Sequence, residues 1–593
     1  MNPATTIDTE TLFQPLGSGQ SLPQRWRWHY GHVVVTLILA AIFFLANHAP
    51  LWHTDIWGHL KYGQWIDQHH ELPTQELFLK DFTAGEPYTP FAWLSQWIFY
   101  QVYQLGTHFD FGGTDPERQM AGGVAALRFL HALLVVARFA VMYLAFLRVT
   151  QSMAWSVVGL LVMAGLSFAN LGVLRPQVFG ELGFALLLWS LSDPVPTKWA
   201  IYGMPLVFAL WANLHGSFIV GLVLVLGIIG GQMLRIVRTA GVRVRAYWRD
   251  DAFRMLMRLL WLAIMAVGLC NPQFFNIFTE IWNFSAHANL ASMDEWKSLD
   301  WHSPFGFAFL VSIVLVVLTY VAGIFGEQTD HRSDQTFGPI SLGQLLLLLI
   351  LGWQVYQHQR MMLWWIMIMP WICMPVWANI TRHRLRYPVT ALWTPKTWSQ
   401  ALRPLLLVAV IVWIAFLWST LGFVWSQAAP QPLHQALQPG TPYLLVKQLQ
   451  YPAQNIIPEL AAWLRRNAGS GPFPGRLFAT ETQGEYLLWA LPNELCPPIY
   501  THVHLVPPEH WRDIMIVKSG VSGWRSILDR WRVNLMIFEP ELHPDLRLAV
   551  YLDNATWTVV LDETGDARKK DPRSRHLIAV RATPVGLRQQ PKP

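Results

Sequence analysis

The run His53-Thr54-Asp55-Ile56-Trp57-Gly58-His59 sets one carboxylate between two imidazoles, directly after a long apolar stretch. A carboxylate there can take a proton from an attacking hydroxyl, and partial loss of water raises its pKa toward a useful range. An aspartate costs about 2.5–3.5 kcal/mol at the centre of a membrane helix on insertion scales, so chains usually keep acids clear of a span. Function is the default expectation for an ionisable group in the membrane zone. Asp55 is therefore the candidate general base or metal-linked acid, with His59 as its catalytic companion. The plainer reading is that Asp55 caps the helix that follows, since Asp is a favoured N-cap residue. The two roles are compatible.

Further polar residues stand at the ends of other apolar runs: Arg175 before Pro176, Asn213 and His215, Asn271, and His358 with Arg360. A guanidinium binds phosphate through two parallel hydrogen bonds, so Arg175 and Arg360, with His358, are candidates for binding a phosphate. Anchoring at the headgroups is the simpler role for an arginine near a span end. His53, His215, Asn213 and Glu295 are candidates for hydrogen bonding to a polar substrate. Their plainer roles are structural histidine, helix-end cap and solvated loop. Cys270, Cys373 and Cys496 show no paired spacing, which argues against a disulfide framework or a thiolate metal site. No metal-ligand motif is evident, and the need for a divalent ion stays open.

Positioning these residues falls to membrane helices. Of the 593 residues 53% are hydrophobic and only 13% charged, against roughly a quarter charged in a soluble domain. Apolar stretches of span length recur from residue 33 to about 427 and mark a polytopic membrane protein with an appended globular domain. The 32 tryptophans suit a large interfacial surface. Spans are expected near 33–50, 121–147, 153–169, 172–192, 199–213, 215–237, 255–271, 304–325, 339–357, 361–379 and 404–427. The first follows a polar segment with Arg25 and Arg27 and reads as a retained anchor.

Three basic clusters test this count. Arg25 and Arg27 precede the first span; Arg235, Arg238, Arg243, Arg245, Arg249, Arg254 and Arg258 fill one loop; Arg382, Arg384, Arg386, Lys396 and Arg403 fill another. All three fall on one side, and positive residues mark the inner side. Residues 1–32 are then cytoplasmic, 33–427 form the transmembrane domain, and 51–120, 272–303 and 428–593 lie outside. Asp55 and the other polar span-end residues share that outer side. The net charge of +6 reports this topology and the attraction of inner loops to anionic lipid, not nucleic acid.

Within the first outer loop, Ile56 to about His69 and Phe91 to Leu105 read as helices lying in the interface, separated by a turn region with Pro73, Gly85, Pro87 and Pro90. In the tail, strands are expected at Arg476–Thr480, Tyr486–Ala490, Ile499–Leu505, Val533–Phe538 and Trp557–Leu561. Helices are expected near 508–518, 523–532 and 542–552, which together make a small α/β domain. The run Gly484 to Trp489 reads as a turn entering a buried strand, with a packing role.

The stretch Asp55-Ile56-Trp57-Gly58-His59-Leu60-Lys61-Tyr62-Gly63-Gln64-Trp65-Ile66, followed by Leu72-Pro73-Thr74, resembles the first outer loop of bacterial membrane glycosyltransferases of the GT-C superfamily. Arg175-Pro176-Gln177-Val178-Phe179, Trp211-Ala212-Asn213-Leu214-His215-Gly216-Ser217-Phe218, Asn271-Pro272 and Gly484-Glu485-Tyr486-Leu487-Leu488-Trp489 extend the resemblance over most of the chain. It implies a GT-C-like fold in a bacterial inner membrane and transfer of a sugar from a polyprenyl-phosphate carrier to a protein or glycan acceptor on the outer side, with Arg175, Arg360 and His358 at the carrier phosphate and Asn213, His215, His53 and Glu295 at the acceptor or sugar. In that superfamily an acid just after the first span is catalytic, and Asp55 matches the position. Here no second acid adjoins Asp55; Glu71, Glu76 and Asp81 are the candidates for one. Where relatives often carry Asp-Gly-Arg, this chain has Tyr500-Thr501-His502-Val503-His504, so no role carries over. A non-catalytic scaffold subunit of a membrane assembly and a lipid-linked sugar transporter are the alternatives; the latter predicts internal repeats, and none is evident.

Overall fold

The computed structural model describes residues 28–49, 51, 55–79, 86–108, 116–193, 195–327, 340–384, 398–422, 440–469, 471–492, 495, 498–569 and 572–585. His53, Asp81, Arg25, Arg27, Lys396 and Cys496 lie outside the described residues. Before the tail the described elements are helices: α1 Tyr30–Asn47, α2 Ile56–His69, α3 Trp93–His108, α4 Pro116–Thr150, α5 Met153–Ser167, α6 Gln177–Ser190, α7 Lys198–Tyr202 and α8 Met204–Leu214. They continue with α9 Phe218–Ala240, α10 Val244–Arg249, α11 Asp251–Cys270, α12 Asn276–Ser285, α13 Pro304–Glu327, α14 Leu342–Gln357, α15 Met362–Arg384 and α16 Trp398–Leu417.

Each apolar run became helical. Among the described residues, the helices α1, α4, α9, α11, α13 and α15 are long and apolar enough to cross a membrane by length and composition. The other five apolar runs give shorter helices, α5, α6, α8, α14 and α16. The run at 199–213 is broken in two at Gly203, between α7 and α8. Helix α4 begins earlier than its apolar pattern, and its 35 residues make about 52 Å at 1.5 Å per residue. That exceeds a hydrocarbon core of about 30 Å, so its first turns project beyond the bundle and pack on α3.

Helices α9 and α15 fix the direction of the bundle. Residues His215 and Ser217 precede α9, and Arg235 and Arg238 sit near its far end, about 30 Å away. Arg360 precedes α15, and Arg382 and Arg384 close it. The described arginine-bearing ends of α9 and α15 therefore lie at the end of the bundle opposite the polar span-end residues.

The tail begins with α17 Thr441–Gln450 and α18 Pro458–Asn467, then alternates β1 Arg476–Ala479, α19 Glu481–Ala490, α20 Pro508–Lys518, α21 Trp524–Arg530, β2 Val533–Phe538, α22 Pro544–Leu552, β3 Trp557–Asp562 and β4 Leu577–Arg581. The sheet order is β1-β2-β4-β3, with β1 parallel to β2 and the other pairs antiparallel. Two expected strands are corrected. Tyr486–Ala490 is the second half of α19, and Ile499–Leu505 is a loop with a 3₁₀ turn at Val503–Leu505. A short apolar run does not distinguish a buried strand from one face of a helix, and the preceding Glu481, Gln483 and Glu485 are good helix formers. Strand β4 was not foreseen.

The tail is not a detached module. One apolar cluster joins Trp57 and Leu60 of α2, Phe99 of α3 and Leu127 of α4 to Leu445, Tyr486 and Leu487. Helix α2 lies between α3 and the tail, with eight of its 14 residues buried. Its close approach to α3 depends on Gly63, where a Cβ would come within 2.2 Å of the Gln96 carbonyl oxygen.

Candidate functional site

Asp55 occupies the N-cap position of α2, yet its side chain makes no capping hydrogen bond. Its Oδ1 faces Arg175 Nε at 3.2 Å. Neither atom is aligned for a hydrogen bond, so the contact is a charge pair. Arg175 precedes Pro176 and the first turn of α6, and its Nη1 donates to Glu295 Oε1. The other Glu295 oxygen lies 3.9 Å from Arg360 Nη1. Arg360 in turn donates from Nε and Nη2 to Gln177 Oε1, at 3.2 and 2.8 Å. A line of alternating charge thus runs Asp55–Arg175–Glu295–Arg360 and ends on Gln177.

Burial raises the Asp55 carboxyl above its ordinary value against the pull of Arg175, helped by the like charges of Glu485 and Glu295. For Arg175 burial opposes the charge, but the carboxylates of Asp55 and Glu295 hold the guanidinium above its usual range. Burial works against the Glu295 charge too, yet Arg175 and Arg360 keep that carboxyl below its ordinary value. One acid in this line is thus pushed toward accepting a proton and the other is kept ionised.

Histidines flank this line, and burial disfavours the charged form of His59 and His215. His59 Nε2 is 3.9 Å from Asp55 Oδ2, too far for a direct hydrogen bond. Gln96 Nε2 donates to His59 Nδ1 at 3.1 Å, which leaves the ring proton on the nitrogen facing Asp55. Burial, then His502 and His215, hold His59 well below its ordinary pKa. His215 is lowered to about 3 by burial and by Arg360 and Arg175. Its Nδ1 accepts from the Ser217 backbone N–H at 3.1 Å. His358 donates from Nδ1 to the Trp296 carbonyl at 3.0 Å and so fixes the turn that carries Glu295.

Asn213 lies elsewhere. Its Oδ1 accepts from Trp93 Nε1 at 2.8 Å and Asn271 Nδ2 at 3.3 Å, and its Nδ2 donates to the carbonyls of Ala209 and Cys270. An amide has two donors and one two-lone-pair acceptor, so these four bonds use it fully in tying α8 to α3 and α11. Glu295 bridges Arg175 and Arg360 while its side chain stays partly open to solvent. Among the described residues no group of three or more His, Cys, Asp or Glu is placed to hold a metal ion.

Sequence reasoning missed Gln177, which lies in a quoted motif, and Glu485, which was hidden by the strand assignment. It also missed Arg138 and Glu181, a buried ion pair joining α4 to α6 one turn below Gln177. A glutamate inside an apolar run was the available signal for Glu181, and Glu485 stood in a quoted motif. Beyond that pair, an apolar groove of about 300 Å³ opens between α6, α9, α14 and α15, lined by Phe184, Val220, Leu224, Gly227, Leu351 and Ile368. Gln177, Ser217, His358 and Arg360 stand at the ends of those same four helices.

No protein-family model and no curated protein matches the sequence. Solved structures to which the chain is similar include the Archaeoglobus fulgidus oligosaccharyltransferase in the apo form, at 11% identity and a TM-score of 0.48, covering 89% of this chain and 73% of that one. ArnT from Cupriavidus metallidurans bound to undecaprenyl phosphate is similar at 14% identity and a TM-score of 0.44, covering 94% of this chain and 99% of that one. The archaeal oligosaccharyltransferase in complex with zinc and sulfate follows at 13% identity and a TM-score of 0.37, over 88% and 71%.

Proposed function

We propose that this multi-pass membrane protein is a glycosyltransferase that moves a sugar from a polyprenyl-phosphate carrier to an acceptor on the extracytoplasmic side. The observation that carries the reading is the placement of Asp55 3.2 Å from Arg175, with Arg360 one carboxylate further on. Asp55 accepts the proton of the acceptor hydroxyl as its oxygen bonds to the sugar carbon. The bond from that carbon to the phosphate oxygen breaks, and the charge that develops on the phosphate falls to Arg175 and Arg360. His59 and His215, held neutral, offer hydrogen bonds without adding charge. The apolar groove beneath Gln177 and Arg360 suits the isoprenoid chain of the carrier. Glu295 lies against both arginines and holds them side by side. The extracytoplasmic assignment rests on the arginine-rich segments at the opposite end of the bundle.

Mass spectrometry of lipids retained by the purified protein tests the donor class: a polyprenyl-phospho-sugar is expected. With that donor, Asp55→Asn lowers transfer by about 10²–10⁴-fold, the range for a general base, while expression and insertion stay intact. Transfer at the parental rate would remove Asp55 from the mechanism. One observation favours a scaffold instead, because both arginines already face a carboxylate. A protein without retained lipid that co-purifies with other subunits in fixed stoichiometry would decide for that reading.

A further inference from the structure

Helix α2 begins at Asp55 but is capped from elsewhere. An N-cap aspartate normally accepts the N–H of the second or third helical residue, here Trp57 or Gly58. The Gly58 N–H instead donates to Glu485 Oε2, from helix α19 of the C-terminal domain, more than 400 residues away in sequence. Glu485 is fully buried. Its Oε1 accepts from the Thr501 backbone N–H at 2.9 Å and from the Thr501 hydroxyl, and His502 Nδ1 lies at 3.8 Å. A Cβ at position 58 would stand 2.3 Å from Glu485 Oε2, so the carboxylate would have to move aside to admit it.

We propose that Glu485 caps α2 in place of Asp55 and thereby keeps the Asp55 carboxylate turned toward Arg175, so that the C-terminal domain supplies a positioning residue to the site. The inference rests on the reading of Asp55 as the base and deepens it. A buried carboxylate, Glu485, and a half-buried one, Asp55, share one helix end: the first satisfies the backbone, and the second is left with an oxygen that has no hydrogen-bond partner. The charged and titratable groups that face Asp55 are His59 on its own helix, Arg175 before α6, Glu295 from the loop before α13, and Glu485 and His502 from the tail. Removing the Glu485 charge takes a like charge from Asp55. Removing its side chain leaves the Gly58 N–H to Asp55, whose ionised form then gains a hydrogen bond. Both changes favour the charged carboxylate.

The test uses the full-length protein and needs no sugar donor. A carbodiimide reacts with the protonated carboxyl, and the Asp55 adduct is mapped by mass spectrometry across pH, with Asp55→Asn as the blank. The labelling midpoint is expected to fall by about half a pH unit or more in Glu485→Gln and further in Glu485→Ala. Gly58→Ala, which pushes the carboxylate off the helix while keeping the charges of the tail, is the second variant and moves the midpoint the same way. Unchanged midpoints in folded Glu485→Gln or Gly58→Ala protein overturn the proposal, whatever the fate of transfer in Asp55→Asn. A shifted midpoint beside an active Asp55→Asn enzyme keeps the coupling and refutes the base.

Discussion

At the scale of single residues, the two acids of the charged line respond to pH in opposite ways. The Asp55 carboxyl sits above its ordinary value, so only between the unfolded and folded values does the folded protein hold a proton there that the unfolded chain has released. Stability from this group is therefore lost as pH rises through its folded value, while its capacity as a base appears over the same interval. Glu295 is lowered, so its contribution is present above its unfolded value and is lost as pH falls through the folded one. In a pH–rate profile of transfer the acid limb should lie above the ordinary carboxylate range. Glu295→Gln takes a like charge from Asp55 and should move that limb to lower pH; an unmoved limb would mean that Asp55 does not set it. Asp55, His59, Arg175, His215, His358 and Arg360 stood out in the sequence as polar groups at or near the ends of apolar runs, and Glu295 as an acid in the loop between two spans. Their partners were not, since nothing near residue 175 in sequence points to residue 295.

At the scale of elements, glycines set the distances between helices. Gly63 lets α2 lie against the backbone of α3 at Gln96, the residue that orients His59. Gly106 and Gly122 do the same between α3 and α4, with 2.5 Å from an added Cβ to the facing carbonyl oxygen. Gly63→Ala should therefore cost about 1–3 kcal/mol, the usual range for overpacking, read as a lower thermal unfolding midpoint. Transfer should fall as well, because Gln96 moves with the backbone that is pushed aside. Unchanged unfolding would show that the two helices separate freely. Long apolar runs made the span positions readable to within a few residues. The break at Gly203 and the helical state of Tyr486–Ala490 escaped, because short segments take their form from what they pack against.

At the scale of the whole molecule, the tail and the first loop share one core. The Trp57 ring meets Tyr486 edge-on at 5.1 Å and lies 6.4 Å from Trp489, and Tyr62 and Tyr500 join their hydroxyls at 2.8 Å. A protein ending at residue 427 should keep its bundle helices but expose α2, so limited proteolysis should cut within residues 56–69 that are protected in the full chain. Protection that survives the truncation would make the tail a separate module. Trp57→Ala should cost about 3–5 kcal/mol by emptying that shared core.

Composition, apolar run length and the placement of arginine determined from sequence alone that this is a membrane protein, where its helices lie and which polar residues gather at one end. Those properties follow from local transfer free energies and from charge, which each segment carries by itself. The tertiary structure alone decided that Glu295 bridges two arginines, that Asn213 is consumed by helix packing and that Glu485 caps α2. Each of these joins groups from segments far apart in sequence, and a hydrogen bond between such groups depends on a fit of a few tenths of an ångström that no local pattern encodes.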